Sequence, residues 1–163
     1  MNHEFATQWI GHEGCAQFAK VFALAVFEAS QDHDNHALVV RLDGTLGAGK
    51  TYFTQQLALE LGASDGEVTS PTFVIIQSYE THPRMSHLDL YRVNDDDEFF
   101  ELGIEEMFEQ SGVMLIEWGG KFSHLLPEDH LCLEIDVLSE DNRAVRLISY
   151  GPRSDAILEH VRG

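Results

Sequence analysis

The stretch Gly44-Thr45-Leu46-Gly47-Ala48-Gly49-Lys50-Thr51 constrains this chain more than any other. It satisfies the pattern GxxxxGK[ST] and lies between a short apolar run, residues 37–42, and a segment of helical periodicity, residues 50–61. A strand, a glycine-rich turn and a helix are the context in which this pattern cradles phosphate. Glycines let the backbone curl closely round an anion, with successive N–H groups pointing inward at the positive end of the helix. The motif therefore predicts a nucleoside-triphosphate site formed by Gly44, Leu46, Gly47, Ala48, Gly49, Lys50 and Thr51. Lys50 is placed to reach the β- and γ-phosphates, and Thr51 to offer its hydroxyl to Mg²⁺.

The rest of the pattern is that of a mixed α/β chain. The opening helix is expected over residues 13–30, with Cys15, Phe18, Phe22 and Val26 on one stripe. Residues 72–79 and 85–91 read as strands joined by a Thr-His-Pro turn. Asp95–Asp97 can cap a short helix that Gly103 breaks, and a further helical turn or two follows around Ile104, Met107 and Phe108. Residues 113–116, Val-Met-Leu-Ile, are continuously apolar, as in a strand buried on both faces. Residues 130–138 and 143–150 alternate around a turn, the signature of an antiparallel hairpin, and residues 155–161 close the chain as a helix. The expectation is one domain over residues 1–163, with a three-layer P-loop NTPase-like mixed sheet and an antiparallel C-terminal hairpin.

A magnesium-dependent site also needs an acid. Glu117 follows the apolar run 113–116 in the manner of a Walker B strand, and Asp89 ends the strand before it. Either could equally be a surface residue at a strand end, but ligands of open α/β sheets collect at the carboxyl ends of strands. Thr72, in Ser70-Pro71-Thr72, reads as a γ-phosphate contact or as a plain turn before a strand. No NKxD or TKxD tetrapeptide is present to read guanine, which favours ATP over GTP. Nine histidines include no HExxH pair and no matched Cys/His set, so structural zinc is not expected. Cys15 and Cys132 fall on apolar faces and read as core residues.

Charge bears on partners. Acidic residues outnumber basic ones by 28 to 10, a net charge of −18, and from Val93 to Gly120 there are nine acids and no Lys or Arg. Free-standing nucleic-acid binding, which draws on Lys and Arg to neutralise phosphates, is disfavoured. The acidic run reads as a solvated face or as a docking surface for a basic protein. No apolar run approaches 18 residues, the N-terminus has no basic leader region, and the cysteines lack CxxC spacing. A cytoplasmic protein without membrane contact is expected.

Four motifs in order, GTLGAGKT at 44–51, SPTF at 70–73, HLDLYR at 87–92 and IEW at 116–118, resemble the motif set of the TsaE (YjeE) family. That family supplies the small P-loop ATPase of bacterial tRNA threonylcarbamoyladenosine (t6A) synthesis. The resemblance implies ATP or ADP at the P-loop, Mg²⁺ held by Thr51 and Glu117, and a switch-like segment containing Asp89, Tyr91 and Arg92. It also implies that Trp118 lies close to the nucleotide, with His12 and Arg143 bordering the adenine. Catalytic roles then fall to Lys50, Thr72, Asp89, Arg92 and Glu117. The implied function is slow, partner-stimulated ATP hydrolysis that supports modification of adenosine 37 in tRNAs reading ANN codons. It would act through a TsaB–TsaD complex, meeting tRNA only indirectly, and be monomeric alone. The family usually has Asp where Thr45 stands, and Pro or another residue followed by an acid in place of Gly119-Gly120. The glycine pair predicts a more flexible loop after Trp118. An autonomous small-molecule kinase is the alternative, but it needs an arginine-rich lid, and only Arg84 and Arg92 lie between Lys50 and Gly120. A nucleotide-sensing module with incidental hydrolysis is a third reading.

Overall fold

The computed structural model describes residues 2–32, 35–68 and 75–163. Its strands are β1 (His3–Ile10), β2 (Leu38–Asp43), β3 (Ile76–Tyr79), β4 (Met85–Asp89), β5 (Val113–Glu117), β6 (Leu131–Val137) and β7 (Asn142–Ser149). Its helices are α1 (Gly11–Ala29), α2 (Lys50–Glu60), α3 (Asp96–Glu101), α4 (Ile104–Phe108) and α5 (Pro152–Arg162). The seven strands form one sheet in the order β1-β7-β6-β2-β5-β4-β3. β2 runs parallel to both β5 and β6, and β4 runs parallel to β5. The β6–β7 and β1–β7 pairs are antiparallel, as is β3–β4.

Alternation along the central strands divides the core in two. Leu38, Val40 and Leu42 of β2, with Val113 and Leu115 of β5, face the side where α1, α2 and α5 pack. Val39 of β2, with Met114 and Ile116 of β5, faces Phe99, Ile104 and Phe108 of α3 and α4. Every residue of β5 is buried, as its unbroken apolar run predicts. In α2 the buried residues are Lys50, Phe53, Thr54, Leu57 and Ala58, a spacing that presents one helical face to the sheet. Asp95 caps α3 by accepting the Glu98 N–H at 2.9 Å.

Several expectations need correction. The sequence reading begins with a helix at residue 13, but β1 comes first, and α1 starts at Gly11 and ends at Ala29. β1 is an edge strand whose alternation is weak, since only Trp9 is fully buried while Phe5 and Thr7 are half-buried. Its pairing with β7 turns the expected hairpin into a three-stranded antiparallel wing. β4 ends at Asp89 rather than residue 91: the Leu90 N–H makes the last ladder bond, to the Glu117 carbonyl at 3.1 Å, and the Tyr91 N–H is taken by the Asp89 side chain at 3.1 Å. β3 covers only the last part of the strand expected at 72–79, whose first residues lie outside those described. The segment after Trp118 is a 3₁₀ turn, Gly119–Leu125, with Gly119 buried. A Cβ on Gly119 would stand 3.0 Å from Ile116 Cγ2, so this glycine allows close packing on β5, while Gly120 beside it is exposed.

Leu115 is fully buried at the centre of β5. Leu115→Ala is expected to cost about 2–5 kcal/mol, because a cavity opens between parallel strands that cannot close over it. Chemical denaturation of the two proteins measures it.

Candidate functional site

The parallel pairing brings the carboxyl ends of β2, β5 and β4 to one edge of the sheet, and the site is built there. The loop from Gly44 to Gly49 leaves β2 and delivers Lys50 and Thr51 as the first residues of α2. Gly47 and Gly49 take φ of +81° and +114°, the left-handed region that side chains resist. Gly44 is needed for closeness, since a Cβ there would lie 2.6 Å from the Ile135 carbonyl oxygen. The loop amides and the start of α2 together present partial positive charge to the space in front of them.

That space is a cavity of about 420 Å³, the size range of small-ligand sites. Its floor is formed by residues 46–49 with Lys50 and Thr51. Asp89, Glu117 and Trp118 line one side. Trp9, Gly11, His12, Cys15, Tyr52, Glu140, Asp141 and Arg143 line the other.

Lys50 is buried, and its Nζ donates to the Gly44 carbonyl at 2.5 Å while lying 3.8 Å from the centre of the Trp118 ring. Burial pulls its pKa below the ordinary lysine value, opposed by attraction to Glu117, Asp89 and Asp43. Thr51 Oγ1 donates to Glu117 Oε2 at 3.2 Å. The same carboxylate oxygen accepts from His87 Nε2 at 2.5 Å, with His87 and Glu117 both buried. Asp89 faces Glu117 across the β4–β5 pair, and its Oδ1 accepts the Tyr91 N–H at 3.1 Å. A threonine hydroxyl and a carboxylate at this separation are the hard oxygen donors that suit Mg²⁺, which keeps several waters and takes few protein ligands. The donor set fits that ion.

The far wall is held to the loop. Arg143 Nε donates to the Ala48 carbonyl at 2.8 Å, and its Nη1 reaches the Ser139 and Asn142 carbonyls, each at 3.0 Å. The Gly11 N–H donates to the Asp141 carbonyl at 2.8 Å, tying the start of α1 to the β6–β7 turn. His12 stacks on Tyr52 with ring centres 4.5 Å apart.

Lys50, Thr51, Asp89, Glu117, Trp118, His12, Arg143 and loop residues Leu46 to Gly49 thus share one cavity wall. Gly44 stands behind that wall as the acceptor of the Lys50 ammonium. Tyr91 and Arg92 are exposed beyond β4 and do not line the cavity. Tyr91 borders it through Trp118, with ring centres 5.1 Å apart. Thr72 lies outside the described residues. Sequence reasoning missed His87, Trp9, Tyr52, Glu140 and Asp141. His87 had a visible signal, since it precedes Asp89 by two residues and so shares its face of β4. Cys15 and Cys132 are buried as expected, and burial pushes each thiol up to about 12. Cys132 also accepts from Arg41 Nη2 at 3.2 Å and donates to Asp43 at 3.3 Å, on the sheet face away from α2.

A strand–loop–helix with a buried lysine and a carboxylate-bound threonine, set in a mixed sheet between helices, defines a protein of the P-loop α/β class. A family model described as "Threonylcarbamoyl adenosine biosynthesis protein TsaE" matches residues 14–145, and the chain belongs to the TsaE family. It is 36% identical over 148 residues to the tRNA threonylcarbamoyladenosine biosynthesis protein TsaE of Haemophilus influenzae, covering 90% of each chain. The Bacillus subtilis protein of that name is 37% identical over 124 residues, covering 76% of this chain and 77% of the relative. The crystal structure of Bacillus subtilis YdiB superposes with a TM-score of 0.77 at 28% identity, covering 99% of this chain and 96% of YdiB.

Arg143 is the one side chain bonded to both the β6–β7 turn and the phosphate-type loop among the described residues of this wall. Arg143→Ala is expected to cost about 1–3 kcal/mol, as for loss of a charge-assisted hydrogen bond. It should also raise amide hydrogen exchange at Gly47–Gly49, read by exchange mass spectrometry or NMR.

Proposed function

We propose that this chain is a Mg²⁺-dependent ATPase of tRNA t6A biosynthesis, acting as one domain through a TsaB–TsaD complex. The observation that supports it most is the single cavity where Lys50, Thr51, Asp89 and Glu117 meet a glycine-rich loop at the start of α2. Aromatic groups at its other end, Trp9, His12 and Tyr52, suit a base. The phosphates of ATP or ADP would lie on the amides of residues 46–51, with the Lys50 ammonium leaving the Gly44 carbonyl to meet the β- and γ-oxygens. Thr51 and Glu117 would hold Mg²⁺, which when bound neutralises charge on those oxygens. Asp89, opposite Glu117, would orient waters at the same edge. Trp118 closes this side over Lys50, and His12 and Arg143 border the base.

Hydrolysis by the free protein should be slow. Arg92 stands outside the cavity wall, and an arginine brought over the γ-phosphate is worth about 10³–10⁵ in rate. The segment Asp89-Leu90-Tyr91-Arg92, with Thr72, is where a docked partner would reorganise the site. A chain of net charge −18 would meet tRNA through that partner rather than directly. The work would be done in the cytoplasm, and among the described residues no helix is long and apolar enough to cross a membrane.

ATP turnover by the purified protein, with and without the TsaB–TsaD pair, tests the proposal. The expected outcome is slow basal turnover, raised by the pair. Brisk turnover indifferent to partners would instead favour a small-molecule kinase. Lys50→Ala should lower turnover about 10²–10³-fold, by analogy with loss of one donor to a developing anion, while leaving the fold intact. Arg92→Ala should lose the stimulated rate more than the basal one, measured side by side with wild type.

A further inference from the structure

We propose that His87 is a positioning residue for Glu117: its imidazole holds the carboxylate toward Thr51 and so sets how tightly the site takes a divalent cation. This rests on the reading of Thr51 and Glu117 as the cation's holders. The backbone dictates the encounter. His87 pairs with Leu115 across the parallel β4–β5 ladder, so Glu117, two residues further along, is its diagonal neighbour on the same face. Diagonal neighbours lie within reach of long side chains. His87 and Glu117 are only 3% and 4% exposed, so neither has water as its main partner.

A carboxylate offers only acceptors, so the imidazole nitrogen facing it, Nε2, carries the hydrogen. Glu117 Oε2 accepts from that nitrogen at 2.5 Å and from Thr51 Oγ1 at 3.2 Å. Thr51 alone would leave the carboxylate free to turn when its hydroxyl oxygen is given to a cation. His87 approaches from another strand and keeps its bond through that exchange. Partners of this kind fix the orientation of ligating carboxylates, and their loss typically costs about 10–100-fold in metal affinity. A merely structural histidine, present to satisfy a buried acid, would change stability without changing cation affinity.

The experiment measures binding of a fluorescent ADP analogue to the full chain, in excess EDTA and across a Mg²⁺ titration. It compares wild type, His87→Leu, His87→Gln, Glu117→Gln and the His87→Leu/Glu117→Gln double variant. Nucleotide affinity in EDTA should stay within about twofold of wild type in the two His87 single variants, since His87 does not line the cavity. The Mg²⁺ concentration at half-effect should rise about 10–100-fold in His87→Leu. His87→Gln, which keeps an N–H donor, should recover most of that loss. His87→Leu should add nothing in the Glu117→Gln background. A folded His87→Leu with the wild-type Mg²⁺ response, or a full additional loss in the double variant, overturns the inference alone. A wild-type protein that binds no ADP overturns the nucleotide reading, and one that binds ADP without response to Mg²⁺ overturns the reading of Thr51 and Glu117 as cation holders; either result overturns this inference with it. If His87→Leu does not fold, His87→Gln together with the Nε2–H proton signal of the nucleotide-free protein decides. That signal should be protected from exchange in wild type and lost in Glu117→Ala; its absence in wild type overturns the inference.

Discussion

The parallel pairing of β2 with β5, and of β5 with β4, is the constraint on which the site depends. Parallel strands point their carboxyl ends the same way, so the loop leaving β2 and the acids ending β5 and β4 must meet at one edge. The register is equally consequential, with Leu42 opposite Glu117 and Glu117 opposite Asp89. A slip of one residue would send Glu117 to the face occupied by Phe99 and Phe122, away from Thr51. The buried apolar residues of β5 hold that register, since each already has its own half of the core.

Electrostatics divides into a local and a global part with opposite signs. Globally the chain carries −18, which opposes the approach of a polyanion. Locally, the loop amides, the start of α2 and the buried Lys50 ammonium concentrate positive potential in a space partly screened from water. Recognition of a phosphate group at this loop would therefore depend on short-range fit and not on steering from a distance. Burial draws the Lys50 pKa below its ordinary value, and attraction to Glu117, Asp89 and Asp43 opposes that shift. The same acids leave the edge short of positive charge on the Glu117 side, and this is the side where a cation fits.

The antiparallel wing does for the far wall what the parallel core does for the acids. β1 enters along β7 and places Trp9 on the wall, and Gly11 then turns the chain into α1 with its N–H on Asp141. Arg143, on β7, reaches the loop at Ala48. The wing is thereby coupled to the phosphate-type loop through backbone carbonyls, so a change in the β6–β7 turn is felt at residues 47–49.

Much of this was written in local pattern. The spacing of Gly44 to Thr51 dictates a loop and helix start by itself, because glycine conformation and N-terminal amides are local properties. The apolar run 113–116 announces a strand buried on both faces and so places Glu117 at its end. The hairpin alternation of β6 and β7 was legible for the same reason. Tertiary structure alone decided what depends on residues distant in sequence. β1 acquires its identity only from pairing with β7, since its own alternation is half-exposed. His87 and Glu117 stand 30 positions apart, and only the β4–β5 register makes them partners. Arg143 and Ala48 are separated by 95 positions, and Trp118 covers Lys50 across two different strand ends. Local sequence determined which segments could bind an anion and which could be buried; the sheet order determined which side chains would face one another, because hydrogen-bonded register is a property of pairs of strands and never of one.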